Sequence, residues 1–197
     1  GISTTPSGRP VHAMLIVRRA SAPPTTGTLN LTLHFTGSDG LTANTAPANT
    51  DLQEALEVMR TAYAQVGIAL GNIEYVDVAD TSLRTIVLGE ICNGGDLDDL
   101  LSSSADHPHD NLNLFFVERF QCMQGGFDFG QFIGGISGGI PGMPAQGTTH
   151  SGVAVATTVF FADPTTTAVV MAHETGHFLG LYHTQENNLF GGPAIYA

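Results

Sequence analysis

Three histidines near the end of the chain constrain its fold and chemistry more than any other feature. His173, Glu174 and His177 are followed at short intervals by Gly180 and His183. On a helix, residues four apart lie on one face, so His173 and His177 can bind one metal ion from successive turns. Glycine reaches left-handed backbone angles at little steric cost, so Gly180 can end that helix and let the chain return with His183. Three nitrogen ligands leave one zinc coordination position open, as in catalytic sites, and Glu174 is placed to act as the general base.

The segment from His173 to His183 resembles the extended zinc signature of the metzincin metallopeptidases. The run from Leu179 to Thr184 is most similar to the pappalysin branch. The resemblance implies that His173, His177 and His183 bind Zn²⁺ and that Glu174 is the general base and acid of peptide hydrolysis. It also implies a zincin-like α+β domain that acts on protein or peptide substrates, with a propeptide as a possible partner that has been removed.

The family has a methionine-containing turn well after the third histidine, and this chain departs from that pattern. Only 14 residues follow His183, and none of them is methionine. We therefore expect 184–197 to be a very short, truncated C-terminal segment, in which Tyr196 is a candidate for a tyrosine near the substrate carbonyl. The alternative function is a zinc-containing inactive or binding domain. Hydrolysis of a non-peptide amide is a third reading of the same site.

The composition limits the class of protein and its partners. The chain has 197 residues, 42% hydrophobic and 12% charged, which favours one folded domain over 1–197. A formal net charge of −12 argues against nucleic acid and anionic membranes as partners. No apolar run approaches the roughly 20 residues that cross a bilayer. We expect a secreted monomer.

The two cysteines allow a single pairing. A disulfide between Cys92 and Cys122 would fit an extracellular enzyme. Two buried free thiols are the alternative.

The hydrophobic pattern predicts an α+β domain with a twisted mixed sheet, an antiparallel edge strand and two backing helices. The zinc-binding helix would form the base of a cleft beneath that edge strand, and a peptide would pair antiparallel with the strand. Residues 1–28 are expected to form an N-terminal arm, with an apolar run at 12–17. A half-buried strand is predicted at 29–35 because polar and apolar residues alternate there. Further strands are predicted at 68–78, 83–88, 112–117 and 151–156. The last is the presumed edge strand and is extended by 159–161.

Two helices are predicted from their caps and their spacing. The first is capped by Thr50 or Asp51 and ends at Gly67. The second is the zinc-binding helix, for which Asp163 is the cap and Pro164 the first helical residue. The glycine-rich segment 125–152 is predicted to be either a mobile surface loop or a wall of the cleft that approaches the substrate backbone.

Several other polar residues have both a functional and a structural interpretation. The loop 107–110 contains two histidines, but its proline prevents helical spacing, so we expect a solvated loop. The aspartates at 96–99 are a weak candidate for calcium, while a short helix capped by Asp96 is favoured. His150 is expected to be a hydrogen-bonded surface histidine or to face the cleft. His12 and His34 have no ligands at metal-binding spacing and are expected to be structural.

Overall fold

The computed structural model describes residues 25–89, 91–107, 110–158 and 164–183. Three α-helices lie in this part of the chain: α1 (Thr50–Ala64), α2 (Asp96–Ser102) and α3 (Pro164–Phe178). The strands of the same part are β1 (Gly27–Phe35), β2 (Ile68–Asp77), β3 (Thr85–Val87), β4 (Leu112–Val117), β5 (Arg119–Gln121), β6 (Met123–Gln124), β7 (Phe127–Asp128), β8 (Gly135–Ser137) and β9 (Val153–Ala156).

The main sheet is mixed and has five strands in the order β2-β1-β4-β9-β8. Strands β2, β1, β4 and β9 run parallel, while β8 pairs antiparallel with β9. The prediction of an α+β domain with a mixed sheet and an antiparallel edge strand is therefore confirmed. Two smaller pairs, β3 with β5 and β6 with β7, lie outside this sheet.

Helices cover both faces of the sheet, because each face carries its own apolar core. Leu31, Leu33 and Phe116 point to the core that α1 and α3 complete. Phe115 and Val117 point to the opposite core, which α2 completes. The prediction of two backing helices is incomplete, since the third helix α2 covers the second face. For the same reason β1 is buried on both faces from Leu31 onward, and the prediction of a half-buried strand is wrong there.

The helix boundaries follow local hydrogen bonds. Helix α1 is capped by Asn49, whose side chain accepts from the Leu52 N–H at 2.9 Å, so the predicted cap at Thr50 or Asp51 is wrong by one residue or two. The helix ends at Ala64, and Gly67 follows with a φ of +77°. These shifts leave its buried face unchanged.

The prediction of the edge strand around 151–156 is wrong. Strand β9 is fully buried and lies between β4 and β8, so the segment around 151–156 is not an edge. The edge strand is β8, which comes from the glycine-rich segment. The predicted arm up to residue 24, its run at 12–17 and the extension at 159–161 lie outside the described residues.

Among the described residues, no helix has the length and apolar character needed to cross a membrane.

Candidate metal centre

Helix α3 carries two of the three predicted ligands on one face. Pro164 is its first residue, where the missing N–H costs no helical hydrogen bond, while the predicted cap Asp163 lies outside the described residues. His173 and His177 follow in the last turns of the helix. The Tyr63 hydroxyl of α1 donates to the Ala172 carbonyl at 2.9 Å and so ties the helix to its neighbour just before His173.

The turn after α3 delivers the third histidine. Gly180 has a φ of +104°, and its N–H donates to the His177 carbonyl at 2.9 Å. The next N–H, from Leu181, donates to the Gly176 carbonyl at 2.9 Å. These two bonds form the Schellman pattern, which satisfies the last carbonyls of a helix and reverses the chain. The predicted role of Gly180 is confirmed, and His183 comes back over the helix.

The three imidazoles form a nearly equilateral triangle of nitrogens. The Nε2 atoms are 3.1 Å apart for His173 and His177, and 3.0 Å apart for both pairs that include His183. Nitrogens that bind a tetrahedral zinc ion at about 2.05 Å lie about 3.3 Å from each other. The three histidines are therefore compatible with binding one metal ion.

A hydrogen bond decides which ring nitrogen of His177 carries the proton. His177 is 8% exposed, and its Nδ1 lies 2.6 Å from the Leu181 carbonyl oxygen. A carbonyl only accepts, so Nδ1 carries the proton and Nε2 of the neutral ring keeps a lone pair for a metal. Burial, and then the imidazoles of His177 and His183, hold the pKa of His173 below its ordinary value. The neutral, metal-binding form is therefore favoured at His173.

Glu174 lies between the histidines and the edge strand. A Cβ built on Gly135 would lie 2.6 Å from Glu174 Cγ, so the strand passes directly over this side chain. Burial raises the pKa of the Glu174 carboxyl, while the His177 imidazole, the hydrogen bond from the Ser137 backbone N–H and His183 act in the opposite direction. The side chain is thus half-buried and held at a defined place beside the three nitrogens.

Strand β8 has an outer backbone edge that does not pair with β9. The Gly134 carbonyl accepts from Ala156 at 2.8 Å, and the Gly138 N–H donates to Gly152 at 2.9 Å, so these residues face β9. Backbone groups alternate along an antiparallel strand, so those of Gly135 and Ser137 point away from β9. This part of the glycine-rich segment is a strand that lies against Glu174, and its role as a wall of the cleft stays a prediction.

The cleft over the histidines is open and has a volume of about 400 Å³. Tyr182 lines it and donates through its hydroxyl to the Ile140 carbonyl at 3.1 Å. The Gly142 N–H donates to the Phe178 carbonyl at 2.8 Å. These two bonds hold the chain after β8 against the end of α3. Sequence reasoning did not single out Tyr182, Gly135 or Ser137, because their roles arise only when distant segments meet.

The structure also tests the predictions for the two cysteines, His34 and His150. Cys92 and Cys122 form a disulfide, as predicted, and the alternative of free thiols is wrong. His34 is buried and bonded to Asn113, in agreement with a structural role. His150 is exposed, with Nδ1 2.6 Å from the Gly138 carbonyl oxygen, as predicted for a hydrogen-bonded surface histidine.

The predicted cap at Asp96 is wrong, since Gly95 holds the cap position and the Asp96 carboxylate accepts from the Val87 N–H at 3.0 Å. In the described part of the chain, the three histidines are the one group of three or more potential ligands close enough to share an ion. Calcium binding near 96–99 stays a prediction. His12, His109, Tyr196 and segment 184–197 lie outside the described residues.

The chain matches no model of a protein family, and it matches no curated protein.

Proposed function

We propose that this chain is a secreted zinc-dependent endopeptidase with a metzincin-like active site. The observation that carries the proposal is the triangle of His173, His177 and His183, with Glu174 beside it and the edge strand β8 passing over Glu174. Metal ligands alone would also suit a structural site. A carboxylate and a peptide-binding edge next to an open ligand set favour hydrolysis.

The donor set fits zinc. Three neutral imidazoles suit a borderline-soft ion, and three protein ligands are typical of catalytic zinc rather than of closed structural sites. When bound, zinc supplies a Lewis acid that polarises the scissile carbonyl and lowers the pKa of a water molecule to about 7.

Glu174 supplies the proton transfers. Its carboxylate accepts the proton of the attacking water and then gives it to the leaving amine. The hydrogen bond from the Ser137 N–H holds this carboxylate under the edge strand, so the base points to the place where the peptide lies. His177 keeps its ring orientation through the bond to Leu181, which holds the ligand triangle fixed relative to Glu174.

The substrate binds as an additional strand. The outward N–H and carbonyl of Gly135 and the outward carbonyl of Ser137 pair with an extended peptide that runs antiparallel to β8, while the Ser137 N–H stays bonded to Glu174. Gly135 has no side chain, so the peptide and Glu174 approach the strand closely from different sides. The disulfide supports an extracellular location, since such bonds persist in oxidising compartments.

The test compares the chain with its Glu174→Gln variant, which keeps the shape of the side chain and removes the base. Both proteins should bind one zinc ion, and the variant should hydrolyse peptides about 100-fold to 10,000-fold more slowly. Metal analysis and a peptide digest with and without chelator measure the two properties. His177→Ala is the matched control, because it should lose zinc and hydrolysis together.

The outcomes separate the two candidate functions. Turnover that persists in Glu174→Gln, in a preparation free of other proteases, contradicts the role of Glu174. A chain that binds one zinc ion but cuts no peptide is the zinc-binding domain without catalysis.

A further inference from the structure

A groove continues from the end of the edge strand away from the histidines. It has a volume of about 550 Å³ and lies between the loop 91–94 and α2 on one side and residues 137–139 and 149–150 on the other. Leu97 and Leu101 of α2 line it with apolar surface. The groove is separate from the cleft over the three imidazoles, whose lining residues are all different.

The groove lies in the path of a peptide on the strand edge. Ser137 belongs both to β8 and to the groove, and Gly138 and Gly139 extend the same wall. An antiparallel peptide has its amino-terminal part beside the carboxyl-terminal end of β8. Gly135 lies over Glu174, and the groove begins two residues further along the chain, at Ser137, so the peptide side chain that reaches the groove stands two or three residues before the cut bond.

Among the described residues, one carboxylate of the groove has no partner of opposite charge. Asp98 is half-buried there, and within the described residues its side chain makes no hydrogen bond or ion pair. The three arginines in that part of the chain lie elsewhere and pair with other carboxylates: Arg60 with Glu57, Arg84 with Glu118, and Arg119 with Asp128. A half-buried carboxylate beside apolar side chains is complementary to a long cationic side chain, whose methylene groups pack while its end is paired.

The disulfide keeps the far wall of the groove in place. Cys92 lies between the groove residues Ile91 and Asn93, and it bonds to Cys122 next to β6. The Asn93 carbonyl also accepts from the Gly89 N–H at 3.0 Å. The loop is therefore tethered at its middle, and the groove exists before a substrate arrives.

We propose that this groove binds a lysine or arginine side chain of the peptide substrate, two or three residues on the amino-terminal side of the cut bond. The inference rests on the proposed peptidase function, since it assigns the specificity of that site. Asp98 is the residue that selects the charge.

The experiment profiles cleavage of a peptide mixture at pH 8, where an ordinary histidine is uncharged. The mixture comes from a protein extract digested at glutamate, so internal lysine and arginine remain. Wild type, Asp98→Asn and Asp98→Lys are compared by mass spectrometry of the products. Asp99→Asn is the matched control, because Asp99 stands on the same helix but is exposed and does not line the groove.

The expected result is enrichment of lysine and arginine two or three residues before the cut in wild type and in Asp99→Asn. A pair of peptides that differ by lysine and glutamine at that position should then differ by about fivefold to tenfold in kcat/KM. Asp98→Asn should abolish this ratio by slowing hydrolysis of the lysine peptide, Asp98→Lys should favour glutamate, and Asp99→Asn should keep the wild-type ratio.

Two failures are distinguishable. Cleavage without a basic preference at those positions, or with a preference that Asp98→Asn retains, overturns the inference alone. A protein that holds one zinc ion and cuts no peptide overturns the proposed function and this inference with it.

Discussion

Lowering the pH should destabilise the fold through one buried histidine far from the metal ligands. His34 is 1% exposed, and its ring stacks on Phe115 with centroids 4.3 Å apart. The Asn113 amide donates to Gln146 and to the Ser151 carbonyl, so its oxygen accepts from His34 Nε2 at 2.9 Å. Burial lowers the pKa of His34 to about 4; the hydrogen bond to Asn113 opposes this shift, and the nearby His107 adds to it.

The sign follows from the proton that each state binds. Below pH 6.5 the unfolded chain protonates this histidine, while the folded chain does not until the pH approaches 4, so unfolding becomes more favourable as the pH falls. The contribution of the neutral His34 to the free energy of unfolding is fully present above about pH 7. At pH 5 that free energy is lower by about 2 kcal/mol. The loss levels off near 3 kcal/mol below about pH 4.

Urea unfolding of the chelator-treated, disulfide-intact protein measures this loss. His34→Gln is the test variant, since its amide can donate to Asn113 but does not titrate. His150→Gln is the control, because it removes an exposed histidine. Between pH 7.5 and pH 5, wild type and the control should each lose about 2 kcal/mol more unfolding free energy than His34→Gln. Wild type and His34→Gln share every other titrating group, so equal losses in these two proteins would refute the reasoning.

Two glycine substitutions test the geometry of the site. Gly135→Ala places a Cβ 2.6 Å from Glu174 Cγ, so hydrolysis should fall about tenfold to a hundredfold while zinc content stays the same. Gly27→Ala, which meets no atom within 4 Å, is the control, and unchanged hydrolysis in Gly135→Ala would contradict the proposed position of the base. Gly180→Ala forces an L side chain to a φ of +104°, so urea unfolding should show a loss of about 1–2 kcal/mol. Chelator competition should also show weaker zinc binding, because the turn that orients His177 is strained, and an unchanged affinity would exclude that link.

Local periodicity and local spacing could be read from the sequence. The helical repeat of apolar residues in α1, from Leu52 to Tyr63, matches its buried face. Its first residue could not be fixed in the same way. Asn49, Thr50 and Asp51 are adjacent and all accept hydrogen bonds at helix starts, and only the observed bond from Leu52 to Asn49 decides among them.

The edge strand could not be predicted, because nothing in its own residues specifies a strand. Strand β8 has three residues and begins with a glycine, so it shows no alternating pattern. It forms by pairing with β9 and by passing over Glu174 of α3. The prediction that β9 is the edge strand is wrong because its apolar run contains no sign that β8 pairs with its second side.

The two halves of the site have different origins, and this decides which measurements test function. The three imidazoles lie within a short segment whose helix and turn place them together. A metal can therefore bind even if the strand edge beside them is displaced. The proposed peptide-binding edge depends on β8, which lies well before α3 in the sequence. Pairing with β9 and the bond between Ser137 and Glu174 hold β8 beside α3. Zinc content therefore reports on the first half alone. Peptide hydrolysis by a variant that keeps zinc but moves β8, such as Gly135→Ala, reports on the second half. A loss of hydrolysis at constant zinc content is expected of a peptidase and not of a metal-binding domain.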